Sequence, residues 1–173
     1  MAAETALVAI GANLPRADGT SPRETCAWAL RALAGIAGVR AVAVSSWWES
    51  APIPPDPASP PFVNGVVRLE VETTPEALLA ALHGIEAEAG RARPYPNAPR
   101  VLDLDLIDLG GRIRPGPAPV LPHPRAHLRA FVLRPLAEVA PGWVHPVSGR
   151  PVEALLGALE GQAIRRLADA PPA

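Results

Sequence analysis

The sequence predicts an α+β fold, on three observations. Apolar segments change period along the chain in the order strand, helix, strand, strand, helix, strand. Both helical segments open on a capping residue followed directly by proline, Ser21-Pro22 and Thr74-Pro75, and each bridges two strands. The second and third strands are joined by a loop alone, so they can pair antiparallel. This order is the pattern of a ferredoxin-like antiparallel sheet covered by helices, here with a mostly helical C-terminal tail.

Each element has a local reason. Thr5 to Ile10 is a short apolar run that stops at Gly11, a buried first strand. Ser21-Pro22-Arg23-Glu24 starts the first helix, with Glu24 three residues after the cap. Trp28, Leu30, Leu33, Ala34 and Ile36 continue it to Gly38, where a left-handed cap suits glycine. Val39 to Trp48 alternates in a β-branched setting and reads as one strand. Six prolines and no glycine between Ala51 and Pro61 leave only a stiff loop there. Phe62 to Thr73 resumes strand character. From Thr74-Pro75, Leu78, Leu79, Leu82, Ile85, Glu86 and Ala89 keep helical spacing to the stop at Gly90. Arg91 to Arg100, with three prolines, is a second irregular segment, and Leu102 to Leu109 is a strand. After Gly110-Gly111 come a proline-rich stretch to His123, a short helix over 131–139 and a last helix over 151–159. Loops of this length inside a compact domain are usually functional.

With 173 residues the chain forms one domain, residues 1–173. All 16 basic residues are arginine, yet the net charge is -1, which argues against a nucleic-acid or anionic-membrane partner. One cysteine, Cys26, excludes an internal disulfide and a multi-cysteine metal site, and reads as a buried inert thiol. No apolar run is long and uninterrupted enough to span a bilayer, and no charged and apolar leader opens the chain. A soluble, cytoplasmic monomer is expected. The four tryptophans, Trp28, Trp47, Trp48 and Trp143, read as core or loop packing.

Arg100-Val-Leu-Asp103-Leu-Asp105-Leu-Ile-Asp108 is the string richest in chemistry. On a strand Leu102, Leu104 and Leu106 share one face while Asp103 and Asp105 share the other, roughly 7 Å apart. Two carboxylates on one face can hold Mg²⁺, which completes its octahedron with waters and phosphate oxygens. Two solvated acids on an exposed strand face are the other reading. Asp108 has the leucine parity and is not expected to be a ligand. Between Arg91 and Arg134 eight arginines face only these three acids, and arginine's planar fork suits phosphate oxygens. Arginines on a solvated surface are the plainer alternative. Together acids and arginines suggest phosphoryl-type transfer, dominated by positioning and charge neutralisation. No Walker A string and no G-x-G-x-x-G occur, which disfavours a P-loop NTPase and a Rossmann dehydrogenase.

Seven strings occur in an order that resembles one family. They are Gly11-Ala-Asn13-Leu14, Ser45-Ser46, Phe62-Val-Asn64, Ile85-Glu86, Gly90-Arg91-Ala-Arg93, Pro99-Arg100-Val-Leu-Asp103-Leu-Asp105, and Leu121-Pro122-His123-Pro124 followed by Arg129-Ala-Phe131-Val-Leu-Arg-Pro135-Leu136. From about Leu7 to Pro141 the chain is similar to the 6-hydroxymethyl-7,8-dihydropterin pyrophosphokinases. The resemblance implies transfer of pyrophosphate from ATP to the hydroxymethyl oxygen of 6-hydroxymethyl-7,8-dihydropterin, giving AMP and the pterin diphosphate of folate synthesis. It implies that Asp103 and Asp105 hold two Mg²⁺ ions with the ATP. Asp105 would also orient or deprotonate the pterin hydroxyl. Arg91, Arg100, Asp105 and His123 take catalytic roles, with Glu86, Arg91, Arg93, Arg100, His123 and Arg129 on the nucleotide. Ser50, Ala51, Ile53, Phe62, Asn64 and Phe131 fall on the pterin, the two phenylalanines sandwiching the ring and the Asn64 amide reading both donor and acceptor edges. For His123 a satisfied structural role, and for Phe131 a place in the core, are the competing readings.

The chain also departs from the family's pattern. Ala12 stands where a serine is usual, Pro124 where some members carry a tyrosine, and Asn97-Ala98-Pro99-Arg100 where Trp-Gly-Pro-Arg is usual. The missing tryptophan leaves the sealing of the pterin slot to Tyr95 or Trp48, or the closed state is looser. A non-catalytic ferredoxin-like module that binds nucleotide or pterin is the competing function, and the paired acids argue against it. An RNA-binding domain of this fold fails on charge and on the want of an aromatic-rich strand.

Overall fold

A computed structural model describes residues 2–90 and 100–169. Its elements are β1 (Glu4–Ala12), α1 (Pro22–Ala34), β2 (Val39–Val44), β3 (Trp48–Ser50), β4 (Phe62–Val71), α2 (Pro75–Glu88), β5 (Asp103–Leu109), a 3₁₀ turn (Ala126–Leu128), α3 (Ala130–Val139), α4 (Val152–Gly157) and β6 (Ile164–Arg166). The fold is α+β. One antiparallel sheet runs β5-β1-β4-β3-β6, with β2 also paired to β4, and carries a mostly helical C-terminal part. The strands predicted first to fourth thus lie in the ferredoxin-like order, fourth, first, third, second.

Two apolar layers explain the near-continuous hydrophobicity of β1. Ala6, Val8 and Ile10 point to the layer under α1 and α2, with Val67, Leu69, Leu104 and Leu106. Leu7 points to the opposite layer, with Val66, Ile107, Val132, Leu133 and Leu136 beneath α3 and α4. A strand buried on both faces has no polar parity to show. Among the described residues no helix is long and apolar enough to cross a membrane.

Both predicted caps form. Ser21 Oγ accepts from the Glu24 N–H while Glu24 Oε2 accepts from the Ser21 N–H, a reciprocal capping box, and Thr74 Oγ1 accepts from the Ala77 N–H. Four expectations change. The first helix ends at Ala34, and Gly38 instead serves the turn into β2 with φ +76°. The strand predicted over Val39 to Trp48 is two strands: the Ser45 side chain accepts the Val66 N–H, so the ladder is interrupted and Trp48–Ser50 pairs anew. The tail adds β6 to β3, and its last helix is only Val152–Gly157. Lastly, β5 bulges at Ile107, because Val8 pairs with Leu106 and Leu7 with Asp108. The extra residue reverses the parity, so Asp108 leaves the leucine face and accepts from Trp143 Nε1 (3.0 Å).

Candidate active site

Register brings the polar residues together. Asp103 pairs with Gly11, Gly11 with Asn64, and Asn64 with Trp48, while Asp105 pairs one row further along with Ala9. Directly opposed residues point the same way, so Asp103, Asp105, Asn64 and Phe62 share the face on which α3 lies. The alternation expected of the two acids is therefore realised. Helix α3 starts at Arg129–Phe131 and closes that end of the face.

A cavity of about 380 Å³ opens there. All six residues expected at the pterin line it, Ser50, Ala51, Ile53, Phe62, Asn64 and Phe131, together with Arg100, Asp103, Asp105 and Arg129. A second cavity of about 560 Å³ lies between α2, β5 and the segment 118–124, lined by Glu86 and His123 and by Leu79, His83 and Val120. Asp105 lines both. Phe131, for which a core position was the alternative, faces the first cavity beneath the Arg129 guanidinium, 5.5 Å from its ring. Arg91 and Arg93 lie outside the described residues, as does Tyr95.

Electrostatics single out Asp105. Burial, then the Asp103 charge, push its carboxyl up to about 7. Arg100 Nη1 lies 2.5 Å from Asp103 Oδ2, so one acid is already paired with a cation. His123 Nε2 lies 3.9 Å from Asp105 Oδ1. Burial, then Arg129, lower the His123 imidazole to about 4, so it is neutral at pH 7. Its Nδ1 accepts from the Arg125 N–H (3.1 Å), which leaves the ring proton on Nε2, facing Asp105. The bulge helps to place this ring, for the Ile107 carbonyl accepts from the His123 N–H (2.9 Å). A neutral histidine there can donate to a phosphate oxygen.

The pterin-side amide departs from expectation. Asn64 Nδ2 donates to Ser50 Oγ (2.8 Å) and to the carbonyls of Trp48 and Phe62 (3.3 and 3.4 Å). Carbonyls only accept, so the NH₂ end must face them, and Oδ1 alone is left for a ligand. The Ser50 hydroxyl, which accepts from Asn64, keeps its own proton to donate. Trp48 does not seal the slot either: its Nε1 donates to Glu138 on α3 (2.6 Å), and it lies outside the cavity wall. Glu86 is buried and accepts from the Leu104 N–H (2.8 Å), fixing α2 against β5 at the rim of the second cavity.

The arginine cluster read along the sequence is only partly a cluster in space. Arg112 pairs with Glu4 and Arg114 with Glu76, both at the surface, whereas Arg100 and Arg129 reach the first cavity. Three residues escaped the sequence reading. Leu79 and His83 line the second cavity with Glu86, and their spacing along α2 was the available signal. Asn13, 1% exposed, bonds both the 59–60 segment and Arg100 through its side chain, and its place after the first strand gave no hint of that.

Comparison with known proteins gives the family. Residues 7–141 match the family model for 7,8-dihydro-6-hydroxymethylpterin-pyrophosphokinase. Three relatives carry the name 2-amino-4-hydroxy-6-hydroxymethyldihydropteridine pyrophosphokinase. That of Synechocystis is 40% identical over 136 residues, covering 79% of this chain and 69% of the relative. That of Pseudomonas aeruginosa is 41% identical over 160 residues, 92% and 94% of the two chains, and that of Haemophilus influenzae 37% over 144 residues, 83% and 86%. The first cavity brings Asp103, Asp105, Arg100 and Arg129 together with Phe62 and Phe131, and by its matched residues the chain belongs to the 7,8-dihydro-6-hydroxymethylpterin-pyrophosphokinase family.

Proposed function

We propose how this chain, an ATP-dependent pterin pyrophosphokinase of folate synthesis, carries out its reaction. The pterin lies in the first cavity between Phe62 and Phe131, with Asn64 Oδ1 accepting from it and the Ser50 hydroxyl donating to it. ATP lies in the second cavity with its triphosphate directed to Asp105. The hydroxymethyl oxygen attacks the β-phosphorus, the bond from that phosphorus to the α,β-bridging oxygen breaks, and AMP leaves with the bridging oxygen. Arg100 and Arg129 hold the transferring phosphates, with Arg91 and Arg93 assigned beside them by sequence. His123 donates from Nε2, and the Asp105 carboxylate orients the attacking hydroxyl and takes its proton as the new bond to phosphorus forms.

The observation that carries this assignment is that Asp105 is shared by the two cavities. Asp103 and Asp105 also suit a pair of Mg²⁺ ions: the donors are hard oxygens, and the raised Asp105 carboxyl marks a charge deficit that a cation relieves. Among the described residues no group of three or more His, Cys, Asp or Glu can hold a metal, so such ions would draw their remaining ligands from phosphate and water. Bound with ATP, they would neutralise the oxygens that gain charge as the bridge breaks.

Incubation with ATP, Mg²⁺ and the reduced pterin should give AMP in step with the pterin diphosphate, and Asp105→Asn should cut turnover by several orders of magnitude with the fold kept. ADP as product, or nucleotide binding with no pterin-dependent turnover, would favour the non-catalytic module instead.

A further inference from the structure

We propose that Asn13 is a positioning residue that ties loop 51–61 to Arg100, so that the pterin cover and the phosphate-side Arg100 hold one spacing. The proposal rests on the assignment of loop 51–61 to the pterin and of Arg100 to the phosphates. Asn13 lies just past β1, almost fully buried, and is not part of the cavity wall. Its amide is used at both ends. Nδ2 donates to Ser59 Oγ (2.8 Å) and to the Pro60 carbonyl (3.0 Å), in the loop that covers the first cavity. Oδ1 accepts from the Arg100 N–H (2.7 Å), just before β5. The Asn13 and Leu14 N–H groups both donate to the Arg100 carbonyl (2.9 and 3.0 Å), so the Arg100 backbone is held on both sides.

The chemistry of the side chain explains why an amide stands here. Loop 51–61 offers acceptors, the hydroxyl of Ser59 and a carbonyl, and the segment just before β5 offers a donor, the Arg100 N–H. Only a group with a donor and an acceptor a fixed distance apart satisfies both from one buried position. Ser59 and Arg100 themselves line the cavity, so movement of either changes its shape. Asn13 acts through them and touches neither substrate.

The two ends can be separated by substitution. Asn13→Asp keeps the acceptor for Arg100 and loses both donations to loop 51–61, Asn13→Ala loses all three, and Ser59→Ala removes one donation from the surface side without disturbing the buried site. Hydrogen exchange should show the Arg100 amide protected in wild type and in Asn13→Asp but exposed in Asn13→Ala. Steady-state kinetics should show KM for the pterin raised about tenfold in Asn13→Asp, as two lost hydrogen bonds imply, with KM for ATP within about twofold of wild type. Ser59→Ala should move the pterin KM the same way by a smaller factor, which keeps the test open if Asn13→Ala fails to fold. A merely structural asparagine would lower the melting temperature without this split. Equal changes in both KM values, or Asn13→Asp and Ser59→Ala indistinguishable from wild type, would overturn the proposal. A wild-type chain that makes no AMP in the same assay would overturn the site assignment, and the tie with it.

Discussion

Asp105 and His123 face each other across 3.9 Å with their protonation displaced in opposite directions. The folded carboxyl is raised from its ordinary 3.8 to about 7, so its contribution to stability is full below 3.8 and is lost as pH rises through 7. The folded imidazole is lowered from 6.5 to about 4, so its contribution is full above 6.5 and is lost as pH falls through 4. Between those limits the two oppose each other, and single variants unmask them. In metal-free buffer His123→Gln should melt at rising temperature as pH falls from 7 to 4, and Asp105→Asn at falling temperature over the same range. Parallel profiles would show that the environments do not shift these groups apart. The pairing of Asp103 with Asp105 on one face was legible in the sequence, because strand alternation needs nothing else. The place of Asp108 was not: a bulge at Ile107 reverses parity, and its reason, a carbonyl turned to the His123 N–H, lies 16 residues away. Nor was the direction of the Asn64 amide, which follows from the Phe62 carbonyl on its own strand and from the Trp48 carbonyl just past a strand break that the sequence did not show.

At the scale of elements, local signals decided correctly where the partners were local. Ser21, Pro22 and Glu24, or Thr74 and Pro75, satisfy the free N–H groups of their own helix within one turn. Strand β2 fails that condition: its end is set by Ser45 taking a ladder position across on β4, and by Trp47 folding its ring over Gly65. A Cβ on Gly65 would lie 2.4 Å from Trp47 Cζ3, so this glycine serves packing. Gly65→Ala should destabilise the protein by about 1–3 kcal/mol through overpacking. Thermal melting would read this as a fall of about 2–4 °C for each kcal/mol. The double variant with Trp47→Leu should recover part of the loss, since the two changes share one space. A Gly65→Ala melt equal to wild type would mean that the ring yields without cost.

The whole molecule puts the site between layers, and the tail beyond the family-matched residues closes it. Strand β6 pairs with β3, setting Ile164 opposite Ser50, and Gln162 just before it brackets the start of α3. Its Oε1 accepts from the Ala130 N–H (2.8 Å), one of the N–H groups that a helix start leaves unpaired, while its Nε2 donates to the Leu128 carbonyl (2.9 Å). Arg129 lies between the two bonded groups, so one half-buried glutamine fixes the backbone that carries the arginine proposed to hold phosphate. The sequence showed a helical tail but no reason for its place, because the reason is tertiary: β3 offers an open edge and α3 an open end. Gln162→Ala should therefore cost about 1 kcal/mol, a modest drop in melting temperature. Its effect on kcat/KM should be larger than so small a loss implies, because Arg129 gains freedom at the cavity wall. Gln162→Glu, which keeps the acceptor for Ala130, should recover most of the stability. Unchanged kinetics in Gln162→Ala with the melting temperature lowered would confine the tail to a structural role.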